Sequence, residues 1–127
     1  MRFDHAGVAT KDAESLAFRY EDLFGCSIAH EERFGDLTVL FLELENGYFE
    51  VLEPREEGTI SQFLENHGPG LHHIALATDD IEVALENAES LGVELIDEEP
   101  RPGAWGHDVA FLHPDSTGGV LVEFVEH

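Results

Sequence analysis

The sequence HAGVATKD at residues 5–12 returns in a closely similar form, HIALATDD, at residues 73–80. The end of each half repeats as well, because NGYFEVLE at residues 46–53 matches GGVLVEFVE at residues 118–126. Between these matched ends, each half carries a helical pattern followed by strand-like stretches. A repeat over this much of the chain predicts two copies of one structural unit.

Each half has the pattern of a β-α-β-β-β unit, so the predicted fold class is α+β. The helical patterns AESLAFRYEDLFG and IEVALENAESLG close at Gly25 and Gly92, and glycine suits the position after a helix. Asp12 in the first half, and Asp79 or Asp80 in the second, suit the N-cap. The predicted strands after the helices are CSIAHEERF (26–34), LTVLFLEL (37–44), GYFEVLE (47–53), VELIDEE (93–99), HDVAFLH (107–113) and GVLVEFVE (119–126).

The length of 127 residues is that of a single domain. We assign module one to about residues 1–56 and module two to about residues 71–127. The segment between them, about residues 57–70, contains TISQFLENHGPG and is predicted to form a linker helix that stops at Gly68, Pro69 and Gly70. Neither module is expected to be stable alone, so the chain forms one domain of residues 1–127.

The charge balance is strongly acidic, with 28 acidic residues, 6 basic residues and a net charge of −22. Such a surface repels nucleic acid and anionic membranes, and we expect neither as a partner. No apolar run approaches the roughly 18 residues of a membrane span. With a single cysteine, Cys26, we expect a cytoplasmic protein without a disulfide framework. The acidic surface indicates adaptation to a halophile's cytoplasm, where salt screens the repulsion.

The matched positions of the repeat supply one histidine and one glutamate per half: His5 and Glu50, then His73 and Glu123. Strand alternation places Glu123 on an apolar face, where a carboxylate costs several kcal/mol unless a cation compensates it. A single such histidine or glutamate is more often structural, but the matched pairs favour metal ligands. Two nitrogen and two oxygen donors without a thiolate suit Co²⁺, which we favour, or Mn²⁺, Ni²⁺, Zn²⁺ or Fe²⁺.

These residues resemble the vicinal oxygen chelate superfamily, which has the glyoxalase and bleomycin-resistance fold. Its most specific strings here are DHAGVA, GTISQFLENHGPGLHHIA and FLHPDSTGGVLVEFVE, and the last two point to the methylmalonyl-CoA epimerase family. The resemblance implies two modules that form a curved, incomplete mixed-sheet barrel around a central metal cleft. It assigns the metal to the same four residues, His5, Glu50, His73 and Glu123.

The resemblance also implies an isomerase that interconverts (2R)- and (2S)-methylmalonyl-CoA. The reaction removes the proton alpha to the thioester, gives a metal-stabilised enolate and returns the proton to the opposite face. The implied partner is an acyl-CoA thioester, and the fold leads us to expect a homodimer. Because coenzyme A is polyanionic, binding needs local positive groups such as Lys11, Arg55 or Arg101.

The two acid–base groups are less well defined than the ligands. Within Ile96-Asp97-Glu98-Glu99-Pro100, which matches an acidic stretch of the family, we predict Glu98 as one base. The family's other glutamate falls between the second and third strands, where this chain reads HEERFGDLTV and does not align cleanly. The candidates for that second group are Glu31, Glu32, Asp36 and Glu43.

Three other functions remain open from the sequence. A glyoxalase I-type isomerase of a thiol hemithioacetal would use the same four ligands. A metal-free module that binds a small molecule would not need them, and a purely structural domain would leave the embedded glutamates unexplained. A ring-cleaving dioxygenase uses two histidines and one carboxylate on Fe²⁺, which makes the fourth ligand-like residue here superfluous.

Overall fold

The computed structural model describes residues 1–127 and contains eight strands and three α-helices. The helices and strands repeat the predicted β-α-β-β-β order in each half, with a helix between the halves. None of the three helices is long and apolar enough to cross a membrane. The elements are β1 Arg2–Ala9, α1 Ala13–Phe24, β2 Ser27–Phe34, β3 Leu37–Leu44, β4 Gly47–Pro54, α2 Thr59–His67, β5 Gly70–Ala77, α3 Ile81–Ser90, β6 Arg101–Pro102, β7 Asp108–Leu112 and β8 Val122–Glu126.

The chain divides into two compact units. The first unit is His5–His72, and the second consists of Met1–Asp4 with His73–His127. In the first unit β1 pairs with β4 in parallel, while β2, β3 and β4 pair antiparallel. In the second unit β5 pairs with β8 in parallel, while β6, β7 and β8 pair antiparallel. Each unit therefore has a mixed sheet, as the predicted fold class requires.

The ends of α1 and α3 are fixed by the residues that the repeat marks. The Asp12 carboxylate accepts a hydrogen bond from the backbone N–H of Ser15 at 3.1 Å, and Asp80 accepts one from Val83 at 3.2 Å. Of the two N-cap candidates in the second half, Asp80 is therefore the cap. Helix α1 ends at Gly25, whose φ of 64° is the left-handed conformation that glycine adopts without strain.

Each sheet has two different faces. On the helix face, apolar residues of α1 or α3 pack against the sheet and form the main core of the unit. We call the other side the His–Glu face, because it carries a buried histidine and a buried glutamate in each unit. The helix-face cores consist of Ala13, Ala17, Leu40, Leu42 and Val51 in the first unit, and of Ile81, Ala84, Leu85, Ala88, Ala110, Leu112, Val122 and Phe124 in the second.

The prediction of a strand over residues 93–99 is wrong, because these residues do not form a strand. That segment keeps one isolated bridge, between Leu95 and Leu112, and the strand that pairs with β7 is the two-residue β6. The ladder breaks because the backbone N–H groups of Ile96 and Asp97 both donate to the Phe111 carbonyl, so two residues oppose one. Pro100 then follows, and it has no N–H with which to continue a ladder.

Candidate metal centre

The first unit buries a histidine–glutamate pair on its His–Glu face. His5 Nε2 lies 3.4 Å from Glu50 Oε1, and the two residues are 3% and 6% exposed. Strand pairing sets this geometry, because Glu50 is the Cα partner of Gly7 in β1 and of Phe41 in β3. Gly7, two residues from His5 on the same face, has no side chain, so the glutamate and the imidazole can approach each other.

The second unit repeats the arrangement. His73 Nε2 lies 3.1 Å from Glu123 Oε1, and the two residues are 4% and 5% exposed. Glu123 is the Cα partner of Ala75 in β5 and of Phe111 in β7. The small residue beside the glutamate is alanine here, in the position that glycine occupies in the first unit.

A phenylalanine packs edge-on against each histidine. The rings of Phe41 and His5 are 5.5 Å apart at 89°, and those of Phe111 and His73 are 5.7 Å apart at 82°. Edge-to-face packing of this kind is favourable and restricts rotation of the imidazole ring. The repeat therefore preserves a histidine, a glutamate and the aromatic residue that orients the histidine.

Each pair fits half of a metal site. A buried carboxylate is costly in an apolar surrounding unless a cation or a hydrogen-bond network compensates it. Two donor atoms bound at right angles to one ion, each about 2.1 Å away, are separated by about 3 Å. The Nε2–Oε1 separations of 3.4 Å and 3.1 Å are close to that value. Imidazole and carboxylate donors without a thiolate suit a first-row divalent ion.

Two candidates for the second acid–base group lie away from the His–Glu face. Glu31 is the Cα partner of Leu40, a residue of the helix-face core, so the two side chains share that side. Asp36 lies in the turn before β3, and its carboxylate packs so closely on Gly58 that a Cβ at Gly58 would clash with Oδ2. The Asp36 carbonyl also accepts the N–H of Arg55 at 2.7 Å. These contacts give Asp36 a structural role in the turn.

The other two candidates lie on the His–Glu face. Glu43 is the Cα partner of Tyr48, is exposed, and sits at the end of β3. Glu32 is the Cα partner of the fully buried Val39, and its carboxylate lies 2.9 Å from His30 Nε2. The Glu32 side chain is 26% exposed, so it is partly withdrawn from water while remaining accessible.

Glu98 lies in the segment between α3 and β6 and is exposed. It lines a cavity together with Leu85 of α3 and Glu126 of β8. Glu126 points to the helix face, because its carboxylate accepts the backbone N–H of Ile81 at 2.8 Å. The structure therefore places Glu98 on the helix side of the second sheet and does not bring it together with Glu123.

Next to Glu98, Asp97 makes contacts that sequence reasoning missed. Its Oδ2 accepts the backbone N–H of Phe111 at 2.9 Å, and its Oδ1 accepts from Arg101 Nε at 3.0 Å. The Arg101 guanidinium lies over the Phe111 ring, 5.3 Å from its centre. The four-residue spacing of Asp97 and Arg101 suggested no contact, because it is informative only within a helix and this segment is not helical.

Two further histidines, His107 and His127, belong to a polar cluster in the second unit. His127 Nε2 lies 2.5 Å from the buried Asp4 carboxylate. The ring centres of His127 and His107 are 4.0 Å apart, and Trp105 stacks on His107. Neither histidine has a partner in the repeat, so the sequence offered no signal for this cluster.

Residues 4–111 match the Glyoxalase/Bleomycin resistance protein/Dioxygenase superfamily. The chain belongs to this superfamily. A Dictyostelium discoideum protein named mitochondrial methylmalonyl-CoA epimerase is 36% identical over 98% of this chain and 78% of its own. A Cereibacter sphaeroides ethylmalonyl-CoA/methylmalonyl-CoA epimerase is 36% identical over 96% of this chain and 95% of its own. An uncharacterised Bacillus subtilis protein, YqjC, is 37% identical over 98% of this chain and 91% of its own.

Solved structures agree in fold over almost the whole chain. A methylmalonyl-CoA epimerase in complex with methylmalonyl-CoA and NH4+ has a TM-score of 0.93 at 30% identity, covering 98% of this chain and 93% of its own. A hypothetical protein from Bacillus halodurans C-125 has a TM-score of 0.95 at 36% identity, covering 99% of this chain and 94% of its own. The predicted superfamily and the α+β class are therefore confirmed.

Proposed function

We propose that this protein is a methylmalonyl-CoA epimerase that interconverts the (2R) and (2S) forms of its substrate. One observation carries the proposal: each unit buries a His–Glu pair at the position that the repeat predicts, in a chain 36% identical to a named epimerase over almost its full length. The isomerase class predicted from the sequence agrees with these relatives. The proposed partner is an acyl-CoA thioester.

We assign one divalent ion, with Co²⁺ favoured, to His5, Glu50, His73 and Glu123 together. The support is the equivalence of the two buried pairs and their donor chemistry, since both offer one imidazole nitrogen and one carboxylate oxygen. An ion held there would supply Lewis-acid stabilisation for negative charge on substrate oxygens. The phenylalanine rings beside His5 and His73 hold both imidazoles in place.

Epimerisation also needs two groups that move protons. One takes the proton from the carbon between the thioester and the carboxylate, and the other returns a proton to the opposite face of that carbon. Glu32 is the candidate on the His–Glu face of the first unit that the structure supports best. His30 fixes its carboxylate at 2.9 Å, and partial burial keeps the group from being a fully solvated surface charge.

Glu98 remains the proposed base of the second unit, on the strength of the family resemblance alone. Its exposed position on the helix side gives it no contact with His73 or Glu123 in this conformation. Glu43 stands as the reserve candidate on the His–Glu face of the first unit. We further propose that the protein is a homodimer and that it is located in the cytoplasm.

The test is turnover of both methylmalonyl-CoA epimers in molar salt, before and after chelation, with Co²⁺, Mn²⁺, Ni²⁺, Zn²⁺ or Fe²⁺ added back. We expect interconversion that disappears on chelation and returns with at least one of these ions. Bound metal without conversion of either epimer would overturn the substrate assignment and leave the metal site standing.

The second candidate function is a glyoxalase-type isomerase, one of the activities named in the superfamily that residues 4–111 match. It would use the same four ligands, so metal content cannot separate the two. Assaying a hemithioacetal beside methylmalonyl-CoA with one enzyme preparation does separate them. A preparation that binds no metal under any of these conditions would instead favour the small-molecule-binding module.

A further inference from the structure

Arg101 is one of two basic residues in the second unit, and it is the one on the His–Glu face. It is the Cα partner of Val109, which packs with Ala75 and Val125 on that face. The other basic residue, Arg2, lies 3.9 Å from Asp79, and both of those side chains are largely exposed. Basic residues are rare in this protein of net charge −22, so the presence of one on the face that carries the candidate ligands suggests a functional role.

Two contacts hold Arg101 in one orientation. Its Nε donates to Asp97 Oδ1, and its guanidinium stacks over the Phe111 ring. Asp97 is itself fixed, because its other oxygen accepts the Phe111 backbone N–H. The same Phe111 ring packs edge-on against His73. Arg101 and the ligand His73 are therefore neighbours of one aromatic ring.

The terminal guanidinium nitrogens of Arg101 make no hydrogen bond to the protein, because only Nε is engaged. The side chain is 53% exposed, so these nitrogens reach solvent. A planar fork of N–H groups with one edge free matches the two oxygens of a carboxylate or a phosphate. Stacking on an aromatic ring reduces the entropy that the side chain loses when an anion binds.

We propose that Arg101 is the receptor for an anionic group of the substrate. This inference rests on the proposed function for the identity of the substrate, which is an acyl-CoA with a free carboxylate on the acyl group. Two groups of this substrate offer the anionic oxygens that a guanidinium binds, namely that carboxylate and the phosphates of coenzyme A. Because substrate and protein are both strongly negative, one fixed guanidinium near the candidate metal ligands provides local attraction that the surface lacks.

The experiment measures binding by calorimetry, so that it does not depend on turnover. The variants are Arg101→Ala, Arg101→Lys and the charge-matched control Arg2→Ala. The probes are methylmalonyl-CoA, propionyl-CoA, which lacks the free carboxylate, and methylmalonyl-pantetheine, which lacks the nucleotide phosphates. Circular dichroism and thermal unfolding confirm that each variant is folded. Arg101→Lys retains the charge without the fork, and it provides a folded variant if alanine disrupts the segment.

We expect Arg101→Ala to weaken methylmalonyl-CoA binding about 10- to 100-fold, the loss typical of a charge-assisted hydrogen-bonded pair. Lysine should recover part of this loss, and Arg2→Ala should bind as the wild type does. If the acyl carboxylate is bound, propionyl-CoA is insensitive to the variant and methylmalonyl-pantetheine is sensitive. If a phosphate is bound, propionyl-CoA binding is sensitive to the variant and methylmalonyl-pantetheine binding is insensitive.

Wild-type affinity of Arg101→Ala for all three probes, or an equal loss in Arg2→Ala, would overturn the proposal. Arg101-dependent binding without epimerisation would overturn only the proposed function. A wild-type protein that binds none of the probes would overturn both.

Discussion

Glu53 accepts a hydrogen bond from the backbone N–H of Ala13 at 2.7 Å, which joins the end of β4 to the first turn of α1. Glu126 makes the same contact with Ile81 at 2.8 Å and joins β8 to α3. Each glutamate follows a candidate metal ligand by three residues, so it points to the opposite face of its strand. One short sequence, EVLE or EFVE, thus serves the helix face and the His–Glu face together.

We predict that Glu53→Ala and Glu126→Ala each lower the free energy of unfolding by about 1–3 kcal/mol. The carboxylate caps an otherwise unpaired N–H and lies near the positive end of the helix dipole. Urea unfolding of the two variants measures the loss, and metal analysis of the folded protein should show unchanged stoichiometry. Unfolding curves that superimpose on the wild type would show that water replaces the carboxylate at no cost.

Much of this arrangement could be predicted from the sequence because the repeat samples each position twice. The N-cap Asp12, the C-terminal Gly25 and the four candidate ligands all follow from matched positions. The helix-joining role of Glu53 and Glu126 was available from the same comparison, since both occupy equivalent places in the last strand. A buried polar residue that recurs in both halves is therefore informative even without known relatives.

The faces of the remaining acidic residues could not be predicted. The β2–β3 ladder shifts register between Ile28 and His30, so counting alternate residues from the start of β2 assigns Glu31 and Glu32 to the wrong faces. A bulge depends on how two strands fit each other, and it leaves no clear local signal here. The same reason applies to Glu98, whose segment loses its ladder when Ile96 and Asp97 share one carbonyl.

The proposed metal site predicts a stability increase on metal binding that depends on Glu123 and not on Glu126. Ligand binding to the native state adds about 2.7 kcal/mol when free metal is 100 times its dissociation constant. We expect added Co²⁺ to raise the melting temperature of the chelated wild type, and Glu123→Ala and His73→Ala to lose that rise. Glu126→Gln changes a glutamate three residues away on the helix face and should keep it. An equal rise in Glu123→Ala would remove Glu123 from the ligand set.

The proposed proton-transfer role of Glu32 can be tested with its neighbour Glu31 as the control. Glu32→Gln should lower turnover about 10²- to 10⁴-fold, the usual contribution of a positioned acid–base group, with metal content unchanged. Glu31→Gln makes the same charge change on the helix face and should leave turnover near the wild-type value. Glu98→Gln, with Glu99→Gln as its control, belongs in the same assay. Glu98→Gln should also lose turnover, since Glu98 is the proposed base of the second unit. Full activity of Glu32→Gln would exclude Glu32 and leave Glu43 as the candidate of the first unit.

Asp97 is expected to act on substrate binding through Arg101. Asp97→Asn keeps an oxygen for the Phe111 N–H but removes the charge that holds Arg101, so methylmalonyl-CoA affinity should fall in the same direction as in Arg101→Ala. Because both residues then serve one contact, the double variant should lose less than the sum of the single losses. Glu99→Gln, two residues away and exposed, should leave binding unchanged. Additive losses would mean that the two residues act separately.

The charge of the whole chain leads to a prediction about salt. With 28 acidic and 6 basic residues, self-repulsion opposes the compact state, and it weakens as the Debye length falls from about 10 Å at 0.1 M salt to about 3 Å at 1 M. We therefore expect the melting temperature of the chelated protein to rise between 0.1 M and 2 M KCl. Potassium chloride is preferred to sulfate, because sulfate stabilises folded proteins through exclusion from their surface. A chain that is equally stable in dilute buffer would argue against adaptation to a salty cytoplasm and would leave the acidic surface to be explained by solubility alone.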